Sequence, residues 1–358
     1  KIEIQSFLDS FLIKKEGELA QVHRTGAEAA QRLREFSGKG KMIRGALSIL
    51  AYRLFRGDDP ADTPPELLSL ASAMELIQSG FLVHDDVMDR DEWRRGGMSI
   101  YSQYADLAAR QGLHDSYHIG ESLGICAGDV AFFLAFELLG GVGANSVSPL
   151  SSTAASRAAE LGALCARELS FVGVAQMMDV YWGRGYERIP LEEVLSLYRF
   201  KTGRYSFSLP LRAGALLADA EEEQADILDR MGELLGVLFQ LKDDELGIFG
   251  DARQLGKPVG SDLKEGKKTP FLVLLLEKVT TDEAERIRGV LGASSIDEEE
   301  LGFVRGLIED YGVRREMNEL CLRYAEQARG ILGQLEGTDR SYRMILESLL
   351  EYSLKRSS

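Results

Sequence analysis

Two short segments of the sequence concentrate aspartates in the same frame of one Phe, three further residues and two adjacent Asp. Together they contain these aspartates: Asp85, Asp86, Asp89, Asp243 and Asp244. Asp85 and Asp89 are spaced to lie on the same helical face, one turn apart, where like charges repel unless a cation lies near them. Carboxylates without clustered His or Cys favour a hard cation such as Mg²⁺, which proteins often share with substrate phosphates. The two segments therefore predict a magnesium site whose ligand is a diphosphate.

Basic residues in glycine-bearing segments support a phosphate ligand. Lys39, Lys41 and Arg44 lie at a predicted helix start, where backbone amides and cations suit phosphate. Further basic segments are Arg94-Arg95-Gly96, Lys201-Thr202-Gly203 and Lys257 to Lys268. One such segment alone is more often a solvated charged surface, so the prediction depends on their combination with the acidic segments.

An apolar stripe precedes the first acidic segment. Met74, Ile77 and Phe81 follow three- and four-residue spacing on the face that carries Asp85. A helix end that emerges from the core, with its acids in solvent, would also give this pattern. The alternative is a site in which a metal holds a polar head while an apolar tail runs beside the helix.

The elements that must position these residues are predicted to be helices. Helical periodicity recurs through most of the chain, prolines number 8, and alternating strand patterns are few. Predicted helices such as Glu66–Asp89 and Glu221–Asp244 suit an all-α bundle around a deep central cavity. No compositional shift divides the chain, so residues 1–358 are expected to form a single domain. Loops are predicted at Arg56–Pro65, Gly140–Ser152, Trp182–Pro190 and Gly250–Thr269.

Composition narrows the class of protein. An apolar fraction of 45% is ordinary for a globular protein, and a formal net charge of -15 argues against a nucleic-acid partner. No run approaches the roughly 20 uninterrupted apolar residues of a membrane span, so none is predicted. Cys126, Cys165 and Cys321 lack metal-ligand spacing and predict buried thiols of a cytoplasmic protein.

The ordered motifs resemble those of the trans-isoprenyl diphosphate synthases, the polyprenyl synthetase family, along nearly the whole chain. In order they are Gly40-Lys41…Arg44, Glu75…Gln78, Asp85-Asp86-x-x-Asp89, Arg94-Arg95-Gly96, Ala127-Gly128-Asp129, Gln176-x-x-Asp179, Lys201-Thr202-Gly203, Phe239-Gln240-x-x-Asp243-Asp244, Gly256-Lys257-Pro258 and Gly260-Ser261-Asp262. Each motif is weak alone, but their order and spacing are specific. The resemblance implies a helical bundle, usually a homodimer, with Mg²⁺ as cofactor and the two Asp-rich helices facing across a deep pocket.

The resemblance also implies a role for each matching residue. Asp85, Asp89 and Asp243 would bind Mg²⁺, and Asp86 and Asp244 would support these metal sites. Arg94, Lys201 and Lys257 would hold an allylic diphosphate (dimethylallyl, geranyl or farnesyl), while isopentenyl diphosphate would be held by Lys41, Arg44, Gln78 and Arg95. Thr202 and Gln240, with Lys201, would lie close to the reacting atoms. The near-terminal Arg356 would close over the second diphosphate.

Product length is expected to depend on bulk just before the first Asp. Gly80 and Phe81 occupy the positions that limit the growing tail in the family, and Gly80 is expected to leave a gap beside Phe81. From Asp85 back to Ile77 the helix spans roughly 12 Å. These features predict a C20 product, geranylgeranyl diphosphate, with C15 farnesyl diphosphate as the alternative.

Two departures from the family pattern concern the substrate and metal sites. Met42 stands where the family often has Arg, which removes one possible cation from the isopentenyl site. Gly247 replaces the third aspartate of the second acidic segment, so one metal is expected to be held less firmly.

Three other functions fit part of the sequence. A class I terpene cyclase also uses an Asp-rich helix, but Lys41, Arg44 and Arg95 indicate a second diphosphate site. A non-catalytic subunit of a heteromeric prenyl synthase would typically have lost its acidic clusters. His84-Asp85 is also found in His-Asp metal phosphohydrolases, which need further histidines that the sequence does not convincingly supply.

Overall fold

The computed structural model describes residues 1–57, 63–144, 152–183, 189–250, 259–293 and 295–356. Across these ranges the chain is almost entirely helical, which confirms the all-α class. The helices are α1 Ile2–Leu19, α2 Arg24–Gly38, α3 Ile43–Arg56, α4 Pro65–Asp89, α5 Ile100–Arg110, α6 Ser116–Ala144, α7 Ser152–Gly183, α8 Leu191–Tyr198, α9 Leu209–Leu217, α10 Glu222–Phe249, α11 Ser261–Lys264, α12 Pro270–Lys278, α13 Thr281–Val290, α14 Glu298–Asp310, α15 Val313–Leu332 and α16 Arg340–Lys355. A π-helix covers Arg199–Ser208, and a small hairpin pairs β1 Trp93–Arg94 with β2 Gly97–Met98.

The chain divides into two compact units. The first comprises Lys1–Cys165 and Ala213–Ala220, and the second comprises Ala166–Arg212 and Glu221–Ser358. Helices α7 and α9 therefore contribute residues to both units. The single domain and the shared cavity expected from the sequence stay predictions.

Helix α4 forms the centre of the first unit, where it packs against α3 and α6. It begins with Pro65 at its first position, where proline is favoured, and ends at a left-handed Arg90, with φ 59°. Most residues from Leu67 to Val83 are buried, as expected for a helix that is apolar on most of its sides. The observed bounds match the predicted helix to within one residue at its start and place the first acidic segment in the final turns.

Helix α10 has the corresponding place in the second unit, where it packs against the π-helix and α15. It continues to Phe249, five residues beyond the predicted end at Asp244. Two glycines allow α10 and the π-helix to cross closely: a Cβ atom on Gly236 would lie 2.5 Å from the Cα atom of Gly203. Thr202, next to Gly203, and Gln240, one turn after Gly236, are within hydrogen-bonding distance of each other at this crossing.

The predicted loops coincide with helix boundaries. Helix α3 ends at Arg56 before α4, and the boundaries around α7 and α8 also agree. Helix α6 continues to Ala144, so the first five residues of the predicted break at Gly140–Ser152 are helical. The segment Gly250–Thr269 contains the short helix α11, so its described part is not a structureless loop.

Two of the described helices, α4 and Ser116–Val142 within α6, are long and apolar enough to cross a membrane. Most of α4 is buried inside the protein, whereas less than half of α6 is buried. Core helices of soluble proteins pass the same test, so these two helices are weak evidence for a membrane span.

Candidate functional site

The first acidic segment divides into one buried and two more accessible carboxylates. Asp86 is 0% exposed, whereas Asp85 is half-buried and Asp89 is exposed. Oδ1 of Asp86 accepts a hydrogen bond from Nε of Arg94 at 2.6 Å, while its buried Oδ2 has no hydrogen-bond partner. Burial raises the pKa of Asp86 to about 7, although the Arg94 guanidinium acts to lower it. Asp86 therefore anchors Arg94, and Asp85 and Asp89 are the carboxylates accessible to a ligand.

The paired arginines lie on the β1–β2 hairpin and have different partners. Arg95 and Gly96 both have positive φ, 54° and 73°, as a two-residue type I′ turn requires. Arg94 donates to Asp86 and also to Asp91, both at 2.6 Å. Nη1 of Arg95 instead donates to the Phe36 carbonyl oxygen at 2.8 Å, and its guanidinium lies 4.8 Å from the Phe36 ring centre. Arg94 and Arg95 are therefore held by different partners although they are adjacent in the chain.

The basic segment before α3 lies close to Arg95. A Cβ atom on Gly40 would lie 3.2 Å from Nη2 of Arg95. Burial lowers the pKa of Arg95, the Glu75 carboxylate opposes that effect, and the nearby Arg44 adds to it. The Arg44 and Arg95 guanidiniums are thus close enough for their charges to interact, while Lys41 is exposed and Gln78 is half-buried. The anion site predicted from these four residues stays a prediction.

A buried carboxylate fixes this end of α3. Oε1 of Glu75, a residue only 4% exposed, accepts a hydrogen bond from the Gly45 amide at 2.8 Å. Carboxylates are stabilised at helix N-termini by such amides. Met42, at the left-handed position before α3, is buried with Ile4 and Ala71. Its side chain therefore belongs to the core.

The expected gap beside Gly80 is not present, and that expectation was wrong. A Cβ atom on Gly80 would lie 3.1 Å from the Phe132 ring and 3.2 Å from the Gly128 carbonyl oxygen. The glycine lets α6 approach α4 so closely that Phe132 fills the space. Phe132 also meets Phe81 edge to face, with ring centres 4.9 Å apart. The structure thus adds Phe132 to Gly80, Phe81 and the fully buried Ile77 as a residue near the predicted length limit.

His84 packs against α6. Its Nε2 lies 2.9 Å from the Ile125 carbonyl oxygen and 3.6 Å from Oδ1 of Asp129. Across the described ranges, no group of three or more His, Cys, Asp or Glu side chains is arranged to hold a metal ion. Mg²⁺ is commonly bound by one or two carboxylates completed by substrate phosphates, so the acidic segments still fit this ion.

A chain of hydrogen bonds surrounds Asp244 in the second unit. Oδ1 of this nearly buried carboxylate accepts from Nε2 of Gln240 at 3.0 Å, and Oδ2 accepts from the Tyr198 hydroxyl at 2.7 Å. The Thr202 hydroxyl donates to Oε1 of Gln240 at 3.1 Å. Burial, followed by the negative charge of Asp262, raises the pKa of Asp244 well above its usual range. The structure thus connects Thr202 and Gln240 through one hydrogen bond and adds Tyr198, which no sequence motif indicates.

Lys201 lies on the π-helix and contacts α7. Its Nζ donates to Oδ2 of Asp179 at 2.5 Å, so the Gln176-x-x-Asp179 motif supplies the carboxylate that positions this lysine. A π-helix has a wider turn than an α-helix and is frequent at functional sites. The π-helix thus carries both Lys201 and Thr202.

Asp243 and Gly247, one turn apart on α10, each meet a residue from later in the chain. Nη1 of Arg356 lies 3.3 Å from Oδ1 of Asp243, and the Arg356 guanidinium lies 4.8 Å from the Phe239 ring centre. A Cβ atom on Gly247 would lie 2.9 Å from Oδ2 of Asp262. Lys257 lies outside the described residues, so its predicted role stays a prediction.

Comparisons with known proteins agree with the sequence motifs. Residues 28–306 match the polyprenyl synthetase family. A short chain isoprenyl diphosphate synthase of Methanocaldococcus jannaschii is 33% identical over 266 residues, which cover 74% of this chain and 71% of that protein. A geranylgeranyl diphosphate synthase of Sulfolobus acidocaldarius is 29% identical over 323 residues, which cover 90% of this chain and 88% of that protein. A similar solved structure is the crystal structure of a geranylgeranyl pyrophosphate synthase from Corynebacterium glutamicum, complexed with isoprenyl diphosphate and magnesium. It superposes with a TM-score of 0.88 at 28% sequence identity, and the superposition covers 99% of this chain and 97% of that chain.

Proposed function

The chain belongs to the polyprenyl synthetase family and is a prenyltransferase, and we propose that it condenses isopentenyl diphosphate head to tail (1′-4) with an allylic diphosphate. The observation that carries this proposal is that the adjacent Arg94 and Arg95 have different partners, Asp86 and Asp91 for the first and the Phe36 carbonyl oxygen for the second. A prenyl condensation needs two diphosphate sites, whereas a terpene cyclase needs one. We assign Arg94 to the allylic diphosphate and Arg95 to isopentenyl diphosphate.

The carboxylates assigned to Mg²⁺ are Asp85, Asp89 and Asp243. All three offer oxygen donors and are more accessible than their neighbours Asp86 and Asp244. Bound Mg²⁺ would supply charge neutralisation for the departing diphosphate. Asp86 and Asp244 support the site through their hydrogen bonds to Arg94, Gln240 and Tyr198.

The basic side chains bind and orient the two substrates. Arg94 and Lys201, together with Lys257, hold the allylic diphosphate while its C–O bond ionises. Lys41, Arg44, Gln78 and Arg95 hold isopentenyl diphosphate, so that its double bond lies close to the allylic cation. Correct orientation supplies much of the rate of such a reaction, and apolar side chains keep water from the cation.

The last step of the proposed reaction is assigned to hydrogen-bonded side chains of the π-helix and α10. The new C–C bond leaves a cation that loses a proton to the released diphosphate. Thr202 and Gln240 hold this region of the site through the hydrogen bond between them, and Lys201 keeps the diphosphate in place. The reaction does not require a side chain to act as a strong base.

The product is proposed to be C20, geranylgeranyl diphosphate, with C15 farnesyl diphosphate as the alternative. Phe81 lies on the apolar face of α4 that leads back from Asp85, and its ring meets the ring of Phe132 on α6 edge to face. The name of the Sulfolobus acidocaldarius relative supports the longer product.

A homodimer in the cytoplasm is proposed as the working form. Helix α6 carries large apolar side chains at its surface, including Phe133 at 74% and Ile125 at 47% exposure. Burial against a second copy of the chain would remove these side chains from water, which is favourable. Size-exclusion chromatography with light scattering on the wild type and on Phe133→Glu tests this assignment, since the charged variant should be monomeric.

The experiment that tests the reaction uses the full chain with Mg²⁺, labelled isopentenyl diphosphate and one of three primers: dimethylallyl, geranyl or farnesyl diphosphate. The dephosphorylated products are then separated by chromatography. A C20 alcohol from all three primers supports the proposal. A product that stops at C15 supports the alternative, farnesyl diphosphate. Asp85→Asn with Asp89→Asn serves as the inactive control. If no primer is elongated, the chain is not a catalyst by itself, as expected for a non-catalytic subunit.

A further inference from the structure

The π-helix is attached to α7 at two points in the second unit. Lys201 donates to Asp179, and three residues later in the chain the Arg204 guanidinium pairs with Glu168. Nε and Nη2 of Arg204 donate to the two carboxylate oxygens of Glu168 at 2.8 Å and 2.7 Å, a two-bond geometry that fixes the orientation of an arginine as well as its position. Glu168 and Asp179 are eleven residues apart, about three turns, so both lie on one face of α7.

The same guanidinium also attaches the π-helix to α10. Nη1 of Arg204 donates to Oε2 of Glu233 at 3.1 Å. The ring centres of Phe171 and Phe200 each lie 5.9 Å from Cζ of Arg204, within the range of a cation–π contact. The Arg204 side chain is 15% exposed. One arginine on the π-helix is therefore held by a carboxylate from each of two neighbouring helices.

Burial makes the shape of this arginine important. Glu168 is only 3% exposed, and a buried carboxylate that loses its cation is strongly destabilising. A lysine at position 204 keeps the positive charge beside Glu168. It cannot form two parallel hydrogen bonds to one carboxylate, because its ammonium is a point charge and not a planar fork.

Resting on the proposed function, we infer that Arg204 is a positioning residue, which keeps Lys201 and Thr202 in place during the reaction. The ammonium of Lys201 is assigned to the allylic diphosphate, so Asp179 must then share it with the substrate. The pair of Arg204 with Glu168 contains no group assigned to substrate or metal, and it therefore holds the π-helix throughout. A π-helix is a rare backbone conformation, so contacts with neighbouring helices must stabilise it.

Steady-state kinetics of Arg204→Lys on the full chain separate positioning from stability. The KM for geranyl diphosphate should rise about tenfold, the equivalent of one charge-assisted hydrogen bond, while the KM for isopentenyl diphosphate stays unchanged. A purely structural role would reduce the fraction of folded enzyme, which lowers the apparent kcat and changes neither KM. Arg212→Lys is the matched control, because the Arg212 side chain is 13% exposed and also pairs with two carboxylates, Glu222 and Asp226. An unchanged KM for geranyl diphosphate in Arg204→Lys, or an equal rise in Arg212→Lys, would overturn the inference.

A second variant tests whether Arg204 acts through Glu168. Glu168→Asp shortens the carboxylate without removing its charge, so it should raise the KM for geranyl diphosphate by a similar factor. It also provides the test if Arg204→Lys does not fold. The double variant should show no larger rise than the single variants, because both substitutions remove the same contact. A rise equal to the product of the two single effects counts against this pair.

Amide hydrogen exchange of the substrate-free protein, followed by mass spectrometry, examines the attachment without the reaction. The π-helix amides should exchange about tenfold faster in Arg204→Lys than in the wild type, with exchange in α4 unchanged. If the wild type elongates primers while Arg204→Lys matches it in exchange and in both KM values, the proposed function stands and the inference fails. If the wild type elongates no primer, the proposed function fails and the inference fails with it.

Discussion

Arg356 forms an ion pair with Asp243, with 3.3 Å between Nη1 and Oδ1. The sequence motifs give these residues different functions, because Asp243 is a proposed Mg²⁺ ligand and Arg356 is expected to close over a diphosphate. The arginine side chain is 15% exposed and is held on its other side by the Phe239 ring. In this state, Arg356 supplies the positive charge that Mg²⁺ is proposed to supply during the reaction.

Replacement of Arg356 by Gln should therefore strengthen Mg²⁺ binding to the substrate-free protein. We expect an increase in affinity of about two- to fivefold, equivalent to about 0.4–1 kcal/mol for a partly exposed ion pair. Calorimetric titration of the substrate-free protein with Mg²⁺ alone measures this affinity. Lys355→Gln is the control, because Lys355 pairs with Glu351 on the exposed surface of α16. Weaker binding in Arg356→Gln would show that the arginine does not compete with the metal.

Thr202→Val should lower kcat without changing KM for either substrate. The valine keeps the shape of threonine but removes the hydroxyl that donates to Gln240, which in turn donates to Asp244. Loss of one such hydrogen bond corresponds to about a tenfold fall in kcat. Thr202→Ser keeps the hydroxyl and should recover the rate. Steady-state kinetics with labelled isopentenyl diphosphate distinguish this result from a structural defect, which serine would not repair.

Phe81→Ala should lengthen the product, because it removes one ring from the pair that Phe81 forms with Phe132. Chromatography of the dephosphorylated alcohols should show chains beyond the wild-type length. Phe303→Ala, in which the lost ring packs on Arg286 of another helix, is the control and should leave the product unchanged. Identical product lengths in the wild type and Phe81→Ala would remove Phe81 from the length limit.

Gly80→Ala should destabilise the protein, because its methyl group would lie 3.1 Å from the Phe132 ring. Overpacking of this kind typically costs about 1–3 kcal/mol. Urea denaturation measures the change, and Gly140→Ala on α6, whose added Cβ meets nothing within 4 Å, is the control. A Gly80→Ala variant as stable as the wild type would show that α6 can shift away from α4 with little loss of free energy of unfolding.

The buried Asp86 should give the metal-free protein a distinct pH dependence. Its pKa of about 7 in the folded chain lies above the ordinary value of 3.8, so between these pH values the native state binds the extra proton. The free energy of unfolding should therefore fall with rising pH across that window, relative to Asp86→Asn, by at most about 4 kcal/mol. Urea denaturation in EDTA at pH 5 and pH 8 measures the difference. Asp106→Asn, which removes one partner of an exposed ion pair, is the control variant.

The sequence was sufficient to predict features that depend on neighbouring residues. Periodicity located α4 and the helix boundaries, and the Asp and Lys motifs identified side chains that the structure connects, such as Thr202 with Gln240. Features that depend on how one helix rotates against another could not be predicted in this way. The contact of Gly80 with Phe132 and the contact of Gly247 with Asp262 both depend on the absence of a Cβ atom facing a distant segment.

The left-handed backbone conformation of single residues could not be predicted from the sequence either. A non-glycine residue in the left-handed region is uncommon, and nothing local distinguishes Met42 or Arg95 as such a residue. For Met42 this conformation accompanies burial of the side chain in the core. The predicted loss of one cation from the isopentenyl site stays a prediction.

The left-handed Arg95 has a consequence for protein engineering. A non-glycine residue held at φ 54° costs about 1–3 kcal/mol, which glycine at the same position would not incur. Random libraries screened for heat resistance alone should therefore enrich Arg95→Gly, which relaxes the turn and removes a guanidinium assigned to a substrate. Thermostability and turnover are opposed at this position, so a directed-evolution campaign on this enzyme needs to select for both at once.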